Sequence, residues 1–450
     1  MIIQILSSNE AYKCILQRQS LSGAGPLPNI KKQGGDLFGD SLTPDQTVKR
    51  IINDVQKNGN EAISRYTRLL EGNTPETFLI SREEINEARN NVSKDLFEAI
   101  NTAANRIRSF HEKQPIDSWT HWDGDGGVGQ MIRPLDRVGV YVPGGKAAYP
   151  SSLLMAVIPA RIAGVREIVV ATPPGKDGQV SPAVMTAASV AGVDKIYQMG
   201  GAQAIAALAY GTETISGVDK IVGPGNIFVS LAKRLVYGVV DIDQVAGPTE
   251  TLIIADEKAN PEIVAADLIA QAEHDEMATS ILLTPSIKLA EAVQKEVEKQ
   301  ITKLERLEIV RSSLEQNGGI VLVTDLDEAI TIANDFAPEH LCLVVNDWWP
   351  LVKKVKNAGG LFLGENSSEA LGDYVIGPSH IMPTNGSARF SSPLNVRDFV
   401  KIISLFAVNQ PAADRLSSAA IRLAEAEGLS GHATAIKKRL SKNQNGGVSG

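Results

Sequence analysis

The sequence contains very few cysteines, and this scarcity limits the kind of protein it can be. Only Cys14 and Cys342 are present among 450 residues. Two thiols so far apart form neither a Cys-x-x-Cys site nor a disulfide framework, and low cysteine usage is typical of a reducing compartment. The N-terminal stretch also lacks the basic and then apolar pattern of a secretory signal. We therefore expect a cytoplasmic protein.

Long apolar runs and an excess of positive charge are also absent. The longest apolar candidate, residues 153–160, is followed by Arg161 and is far shorter than the roughly 18 residues that a membrane span needs. The formal net charge is −8, whereas a nucleic-acid-binding protein normally has a basic face. These absences predict that neither a membrane nor a nucleic acid is a partner. With 43% hydrophobic residues, the chain can bury sizeable cores.

Short β-branched runs alternate with helical patterns over the centre of the chain. One series occupies residues 138–237 and a second occupies residues 251–364. Strands that alternate with helices form mostly parallel sheets covered by helices. Upstream, Thr43 caps a helix that we expect to end near Gly59. The sequence predicts an α/β fold with two Rossmann-like parallel-sheet domains and smaller helical segments at the N- and C-termini.

Four of the six histidines lie in short segments rich in carboxylates, amides and glycines. Scattered histidines paired with acids are typical of a divalent metal site or an acid–base site. One such histidine alone is more often an ordinary residue with a local partner, but four together favour a functional site. These histidines and their neighbours are Gln271 and His274, Glu339 and His340, Asp373 and His380, and Glu427 and His432.

Two of these segments have a clear structural context. Asn260 begins a helix, so Gln271 and His274, three residues apart, should project from one face of its last turn and could share a metal or ligand. Glu339 and His340 stand at a helix-to-strand junction, where they could form an acid–base pair or a plain surface dyad.

Glycine-rich turns provide candidate phosphate sites. A literal G-x-G-x-x-G at residues 124–129 precedes a strand pattern instead of a helix, so we expect a hairpin loop there. Residues 143–145 and 223–226 each follow a predicted strand and precede a predicted helix. Free N–H groups at a helix start attract phosphate, although a plain tight turn is the alternative for either segment.

Nine longer segments together resemble the histidinol dehydrogenase family, and the resemblance runs from about residue 36 to residue 440. It implies two successive NAD-dependent oxidations of L-histidinol, through a bound aldehyde, to L-histidine, the last step of histidine biosynthesis. The segments are VGVYVPGGKAAYPS (138–151), GGAQAIAALAYGT (200–212), GPGNIFV (223–229), IDQVAGPTE (242–250), QAEHD (271–275), NDFAPEHL (334–341), GDYVIGPSH (372–380), MPTNGSARF (382–390) and EGLSGH (427–432).

The resemblance also implies roles for single residues. One zinc ion per subunit would be held by Gln271, His274, Asp373 and His432. Glu339 would activate water and His340 would be the general base. The NAD contacts would be Tyr141, Gln203 and Asn226. The substrate contacts would be Thr249, His380 and Glu427 together with the zinc ligands and the catalytic pair. Thr249 stands where many members have serine, and it keeps the hydroxyl.

The resemblance and the βα pattern together give the expected domain limits. Residues 1–35 would form an N-terminal helical arm, and residues 36–140 with 250–393 a main α/β domain. Residues 141–249 would form the NAD-binding domain. Residues 394–450 would be a helical segment that reaches the partner of a homodimer, so that the two subunits share their active sites.

Other function classes remain open from the residues alone. A zinc hydrolase would use the same histidines and carboxylates on water, but it would not need two glycine turns before helices. A non-catalytic metal-binding module would leave Glu339 and His340 unexplained. An oxidoreductase acting on another small polar alcohol would use the whole set.

Overall fold

The structure is a computed structural model that describes residues 2–18, 42–72, 74–144, 148–175 and 177–440. The chain divides into two compact units. The first unit comprises Met1–Gln114 and Leu135–Phe399, and the second comprises Pro115–Pro134 and Val400–Gly450. Among the helices of the described ranges, none is both long and apolar enough to cross a membrane.

The first unit contains two six-stranded sheets with helices between successive strands. Its elements up to residue 242 are β1 (Ile5–Ser7), α1 (Ser8–Ala11), α2 (Pro44–Glu71), β2 (Leu79–Ile80), α3 (Arg82–Glu87), α4 (Lys94–His111), β5 (Arg137–Tyr141), α5 (Pro150–Ala163), β6 (Glu167–Thr172), α6 (Pro182–Ala191), β7 (Lys195–Gln198), α7 (Gly201–Tyr210), β8 (Lys220–Val222), α8 (Ile227–Val236) and β9 (Asp241–Ile242). The remaining elements are β10 (Glu250–Ala255), α9 (Pro261–Ala272), β11 (Thr279–Thr284), α10 (Ile287–Gln300), α11 (Leu307–Asn317), β12 (Gly318–Leu322), α12 (Leu326–Phe336), β13 (His340–Val344), α13 (Trp349–Val352), β14 (Gly360–Leu363) and α14 (Glu369–Leu371).

The two sheets have the same order of strands. Sheet 1 runs β2-β7-β6-β5-β8-β9, and sheet 2 runs β1-β12-β11-β10-β13-β14. All neighbouring strands are parallel except β2 and β7. In each sheet a central strand, β5 or β10, comes first in the series of alternating strands and helices. The next two strands are added on one side of it, and the following two are added on its other side. The predicted α/β fold with Rossmann-like parallel sheets is confirmed.

Helix α2 runs further than the sequence predicts. The expected end near Gly59 is wrong, because Gly59 takes φ 45° and forms a kink, after which the helix continues to Glu71. Val55 before the kink and Ile63 after it are both buried in the core of sheet 1. Burial of apolar side chains on both sides of the kink therefore keeps both halves helical. The cap at Thr43 is confirmed, since its hydroxyl accepts a hydrogen bond from Gln46 N–H.

The N-terminal segment is not only helical. β1 pairs in parallel with β12, with Ile5 opposite Ile320, so that it extends sheet 2 at its edge. The expected helix is reduced to α1, which Ser7 caps. The part of the expected arm from residue 19 to residue 35 lies outside the described residues.

The second unit is built on an antiparallel sheet. Its strands β3 (Trp119–Asp123), β4 (Gly126–Pro134) and β15 (Val400–Val408) run in the order β15-β4-β3, and the helices α15 (Gln410–Ala426) and α16 (Ser430–Lys437) follow. The loop between β3 and β4 contains Gly124, so the expected hairpin is confirmed. The expectation of a purely helical segment after residue 394 is wrong, because β15 pairs with β4 along nine residues. That pairing also places residues 115–134 in this unit, whereas the sequence predicts them in the main domain. The subdivision of the first unit into two domains stays a prediction.

Candidate active site

Glu339 and His340 stand at the amino-terminal end of β13, where α12 has just ended at Phe336. Both side chains are buried, with 7% and 4% of their surface exposed. Ala337 between helix and strand takes φ 49°, a left-handed conformation that is uncommon for a residue other than glycine. The predicted helix-to-strand junction is therefore confirmed, and burial rules out a plain surface dyad.

The start of β10 holds this pair in place. Glu339 Oε2 accepts hydrogen bonds from the Thr249 hydroxyl at 2.6 Å and from Glu250 N–H at 3.0 Å. His340 Nδ1 lies 3.1 Å from the carbonyl oxygen of Glu250. Because a carbonyl only accepts, Nδ1 carries a proton, and in the neutral form of the imidazole Nε2 keeps its lone pair. Nε2 is buried, and it has no hydrogen-bond partner in the described part of the chain.

Gln271 extends the same network from the last turn of α9. Its Nε2 donates to the Thr249 hydroxyl at 2.8 Å, so that Thr249 connects Gln271 to Glu339. Asn260 caps the start of α9, as expected. His274, however, lies two residues beyond the helix end at Ala272. The prediction that His274 projects from the last turn is wrong in this respect, and the side chain is exposed.

A second group of predicted residues lies in the segment after β14. Asp373 belongs to a π-helix, Gly372–Ile376, a rare element that often occurs at functional sites. His380 Nδ1 is 2.7 Å from the carbonyl oxygen of Asp373, and its Nε2 is 3.0 Å from the hydroxyl of Ser152 in α5. Ser152 is buried and is not among the residues predicted from the sequence.

A further buried carboxylate lies near Glu339 and His340. Glu369 Oε2 accepts a hydrogen bond from the Thr251 hydroxyl at 2.6 Å, and Glu369 Oε1 accepts one from Cys342 Sγ at 3.1 Å. Thr251 is paired with His340 in the register of β10 and β13. Burial, together with the negative charge of Glu369, raises the pKa of the Cys342 thiol well above its usual value. Cys342 is therefore a protonated hydrogen-bond donor here and not a nucleophile.

Burial and charge shift the pKa values of Glu339 and His340. Burial raises the pKa of Glu339 to about 7, against the opposing effect of His340. Burial alone would lower the pKa of His340, but the carboxylates of Glu339, Glu369 and Asp373 outweigh it and raise that pKa to about 9. Burial lowers the pKa of His380, and the nearby charges of His340 and His274 act in the same direction. Because these groups affect one another's pKa values, the three histidines and Asp373 lie close enough together to interact electrostatically.

The residues of the first unit fit a zinc site in donor type but do not complete one. Imidazole nitrogen, carboxylate oxygen and amide oxygen are all known zinc donors, and His274, Asp373 and Gln271 supply one of each. No three His, Cys, Asp or Glu side chains within the described ranges are grouped closely enough to hold a metal. The other two predicted residues, Glu427 and His432, belong to the second unit, where both side chains are exposed.

The predicted NAD contacts lie at the carboxyl-terminal edge of sheet 1. Tyr141 ends β5, and its hydroxyl accepts a hydrogen bond from Gly201 N–H at 3.1 Å. Burial raises the pKa of Tyr141 to about 12, so the phenol stays neutral. Gln203 in α7 is fully buried, and neither polar atom of its amide has a partner in the described part of the chain. An unpaired buried amide is costly, and a bound ligand with polar groups would satisfy it.

The glycine turn at residues 223–226 has the expected position between β8 and α8. Gly223 takes φ 113°, and a Cβ there would come 2.1 Å from the carbonyl oxygen of Tyr141, so only glycine fits. Asn226 caps α8, because its side-chain oxygen accepts hydrogen bonds from Phe228 and Val229 N–H. The use of this turn as a phosphate site stays a prediction.

Comparison with known proteins identifies the family to which this chain belongs. The chain matches the sequence profile of histidinol dehydrogenase over residues 40–440. The histidinol dehydrogenase of Moorella thermoacetica is 53% identical over 395 residues, which cover 87% of this chain and 93% of the relative. That of Deinococcus radiodurans is 50% identical over 441 residues, which cover 97% of this chain and all of the relative. The chain belongs to the histidinol dehydrogenase family.

A solved structure agrees with this assignment. The crystal structure of histidinol dehydrogenase from Elizabethkingia anophelis superimposes with a TM-score of 0.88 at 34% sequence identity, covering 97% of this chain and 98% of that chain. Within this histidinol dehydrogenase fold, Thr249 bonds to both Glu339 and Gln271 through its hydroxyl. Its extra methyl group relative to serine leaves both hydrogen bonds in place.

Proposed function

We propose that this protein oxidises L-histidinol to L-histidine in two successive NAD-dependent steps. The observation that carries the proposal is the buried pair of Glu339 and His340, clamped by Glu250 and Thr249, in a chain of the histidinol dehydrogenase family. We also propose that it acts in the cytoplasm, which agrees with its two free cysteines.

His340 supplies the base for both oxidations. Its Nδ1–H is directed to the Glu250 carbonyl, so the unpartnered Nε2 accepts the proton of the alcohol as hydride leaves the carbinol carbon. Glu339 then accepts a proton from water as its oxygen adds to the aldehyde carbon, and His340 returns its proton to the aldehyde oxygen, which gives the hydrate. The hydrate loses a hydroxyl proton to His340 and its hydride to a second NAD⁺, and the resulting carboxylic acid ionises to the carboxylate. One histidinol and one water thus give two NADH and three protons.

Two bound groups complete the chemistry. Gln271, His274, Asp373 and His432 would hold zinc, which when bound would hold the nitrogen atoms of histidinol and favour the neutral form of His340. Tyr141, Gln203 and Asn226 would hold NAD, which accepts the hydride. Thr249, His380 and Glu427 would contact the substrate. The orphaned amide of Gln203 supports the cofactor assignment, and the donor types at Gln271, His274 and Asp373 support the metal.

The proposal is tested by counting products. Purified protein is incubated with zinc, limiting L-histidinol and excess NAD⁺, and NADH is followed at 340 nm while aldehyde is trapped. We expect two NADH per histidinol and little free aldehyde. A ratio of one with aldehyde accumulating would eliminate the second oxidation. Hydrolysis of an ester or amide with no NADH formed would support a zinc hydrolase instead.

We further propose that the active species is a homodimer. Phe406 is 81% exposed, and Val128 and Ile402 are also exposed on the same face of the second unit's sheet. Large exposed apolar side chains on one face of a sheet are typical of a protein–protein interface. In such a dimer, the zinc of each active site would receive His432 of the partner subunit.

Complementation tests the dimer. His432→Asn and His340→Asn should each be nearly inactive alone. A mixed dimer would contain one site with both residues intact, so co-expression should restore a sizeable fraction of activity. If purified mixed dimers are as inactive as both parents, the subunits do not share their sites.

A further inference from the structure

The N-terminal segment places a guanidinium group directly behind the candidate catalytic pair. Arg18 Nη1 and Nη2 donate to the two carboxylate oxygens of Glu250, the second at 2.9 Å. The Arg18 side chain is 21% exposed and that of Glu250 is 7% exposed, so the pair is largely shielded from water. A bidentate arginine–carboxylate pair fixes both position and angle, which a single hydrogen bond does not.

Arg18 also contacts the backbone that leads into Glu339. Its Nε donates to the carbonyl oxygen of Phe336 at 3.1 Å, and its Nη2 donates to that of Ala337 at 3.2 Å. The guanidinium carbon lies 4.0 Å from the centre of the Phe336 ring. These contacts hold the two residues where the chain turns through the left-handed conformation of Ala337. A residue held in such a conformation persists only when its surroundings fix it.

Glu250 connects Arg18 to both candidate catalytic residues. Its N–H donates to Glu339 Oε2, and its carbonyl oxygen accepts from His340 Nδ1. Its side-chain Oε1 also accepts a hydrogen bond from Asn385 N–H at 3.1 Å. The guanidinium of Arg18 therefore fixes the start of β10, which orients Glu339 and His340. It also fixes the turn that precedes Glu339.

We propose that Arg18 is a positioning residue for Glu339 and His340, so that the N-terminal segment takes part in building the active site. Arg18 acts through Glu250 and through the carbonyl groups of Phe336 and Ala337, and it touches neither reacting atom. The proposal rests on the proposed function, because it takes Glu339 and His340 as the reacting groups.

The test compares two arginines with similar partners. Arg161 in α5 also pairs with a carboxylate, Asp194, and donates through Nε to the carbonyl oxygen of Gly192 at 2.9 Å. Its side chain is 27% exposed, close to the value for Arg18. Arg161 lies on the sheet 1 side of the unit, so Arg161→Ala is a matched control for the general loss of a half-buried arginine.

We expect Arg18→Ala to lower kcat at least tenfold while the Kd for NADH, measured by fluorescence titration, stays within twofold of the unmodified protein. The kcat of Arg18→Lys should lie between those of Arg18→Ala and the unmodified protein. The three donors of an ammonium group share one nitrogen and cannot reproduce the bidentate contact with the carboxylate together with both carbonyl contacts. Millimolar guanidinium should restore part of the activity of Arg18→Ala, and Arg161→Ala should keep kcat within twofold. If Arg18→Ala does not fold, Arg18→Lys carries the comparison alone.

A second readout does not depend on turnover. Hydrogen exchange followed by mass spectrometry should show faster exchange at residues 336–341 in Arg18→Ala than in Arg161→Ala. The proposal is overturned if kcat of Arg18→Ala stays within twofold of the unmodified protein. It is also overturned if Arg161→Ala loses as much activity, or if exchange at residues 336–341 is unchanged.

His340→Asn separates this proposal from the proposed function. If His340→Asn remains active, the assignment of the reacting groups is wrong. If His340→Asn is inactive while Arg18→Ala is fully active, only the positioning role of Arg18 fails.

Discussion

Sheet 1 and sheet 2 have the same strand order, but their candidate sites lie at opposite edges. In sheet 1 the predicted NAD contacts follow the carboxyl ends of β5, β7 and β8. In sheet 2 the candidate catalytic pair, Glu339 and His340, stands at the amino end of β13, beside the amino end of β10. In both sheets the candidate site lies where the order of strands reverses, which is between β5 and β8 in sheet 1 and between β10 and β13 in sheet 2. The usual rule for such sheets, which places ligands beyond the carboxyl ends of the strands, describes sheet 1 alone.

Helix polarity gives a physical reason for the difference. Helices α7 and α8 begin at the carboxyl edge of sheet 1, so their positive N-terminal ends favour a phosphate-bearing cofactor. Helix α9 ends at the amino edge of sheet 2, with Gln271 in its last turn. The negative end of a helix favours a cation. The polarity of these helices therefore agrees with the proposed anion site at one edge and the proposed cation site at the other.

The two sites also have a structural feature in common. At each, a cation–carboxylate pair that is largely shielded from water holds the backbone beside the predicted functional residues. In sheet 2 the pair is Arg18 and Glu250. In sheet 1 it is Lys233 and Asp243, whose side chains are 2% and 4% exposed. Lys233 Nζ donates to the carbonyl oxygen of Gly223, and Asp243 Oδ2 accepts from Gly223 N–H.

The largest effect is expected at the catalytic edge. His340→Asn should lower kcat roughly 10³-fold, because an amide cannot replace the base that accepts the alcohol proton. The Kd for NADH should be unchanged, since the predicted cofactor contacts lie on the other sheet. The exposed His121→Asn serves as the control and should keep full kcat. Loss of NADH binding by His340→Asn would show that the candidate sites at the two edges do not act independently.

Lys233→Met tests the corresponding pair of sheet 1. Removing one member of a buried ion pair leaves Asp243 without its counter-charge, so the free energy of unfolding should fall by about 3 kcal/mol or more. The Kd for NADH should rise, because the carbonyl oxygen of Gly223 loses its hydrogen bond from Lys233 and only the bond from Gly223 N–H to Asp243 remains. Lys195→Met removes a more exposed pair with Glu167 and should cost less than about 1 kcal/mol. Equal losses from both variants would show that burial of the pair has no special role.

Glu71 makes the stability of the sheet 1 side depend on pH. Burial raises the pKa of this carboxyl, at the end of α2, to about 7. The folded protein therefore binds a proton that the unfolded chain releases between about pH 4.5 and pH 7, so Glu71 lowers stability as pH rises through that window. Glu71→Gln should raise Tm at pH 8 by roughly 3 °C and leave it nearly unchanged at pH 5. Glu83→Gln, at an exposed position, should leave Tm unchanged at both pH values.

The smallest effect is expected at Thr249. Thr249→Ser keeps the hydroxyl that bonds to Glu339 and Gln271, so kcat/KM should change less than about twofold. Thr249→Ala removes both bonds and should lower kcat/KM about tenfold, which corresponds to about 1.4 kcal/mol. Steady-state kinetics with L-histidinol measures both. Equal kcat/KM values for the alanine and threonine forms would show that the hydrogen bonds of the Thr249 hydroxyl make no contribution to activity.

Local signals in the sequence predict most of the fold. The helix starts at Thr43 and Asn260 are confirmed, because a cap depends only on residues within one turn. The strand β15 was not predicted, since its pairing with β4 joins segments far apart in the chain. Gly59 shows a further limit: a glycine predicts a break, but tertiary packing decides whether the helix resumes.

The candidate site divides in the same way. Glu339, His340 and Gln271 are found from the sequence because acids, amides and histidines cluster there. Arg18, Ser152 and Glu369 are missed, because their partners lie 232, 228 and 118 residues away and no spacing marks them. Arg18 would be found only by asking what neutralises the buried carboxylate of Glu250.

The pairing of β4 with β15 has a consequence for synthesis of the chain on the ribosome. Pro134 pairs with Val400, and Gly126 pairs with Val408, so β4 emerges long before its partner strand exists. At 5 to 20 residues per second, the delay is roughly 13 to 50 seconds. During that time the β3–β4 hairpin has an open edge and an apolar residue at Val128, the kind of surface that chaperones bind and that aggregates recruit. Nascent chains stalled before residue 400 should therefore be more prone to aggregation than the completed chain.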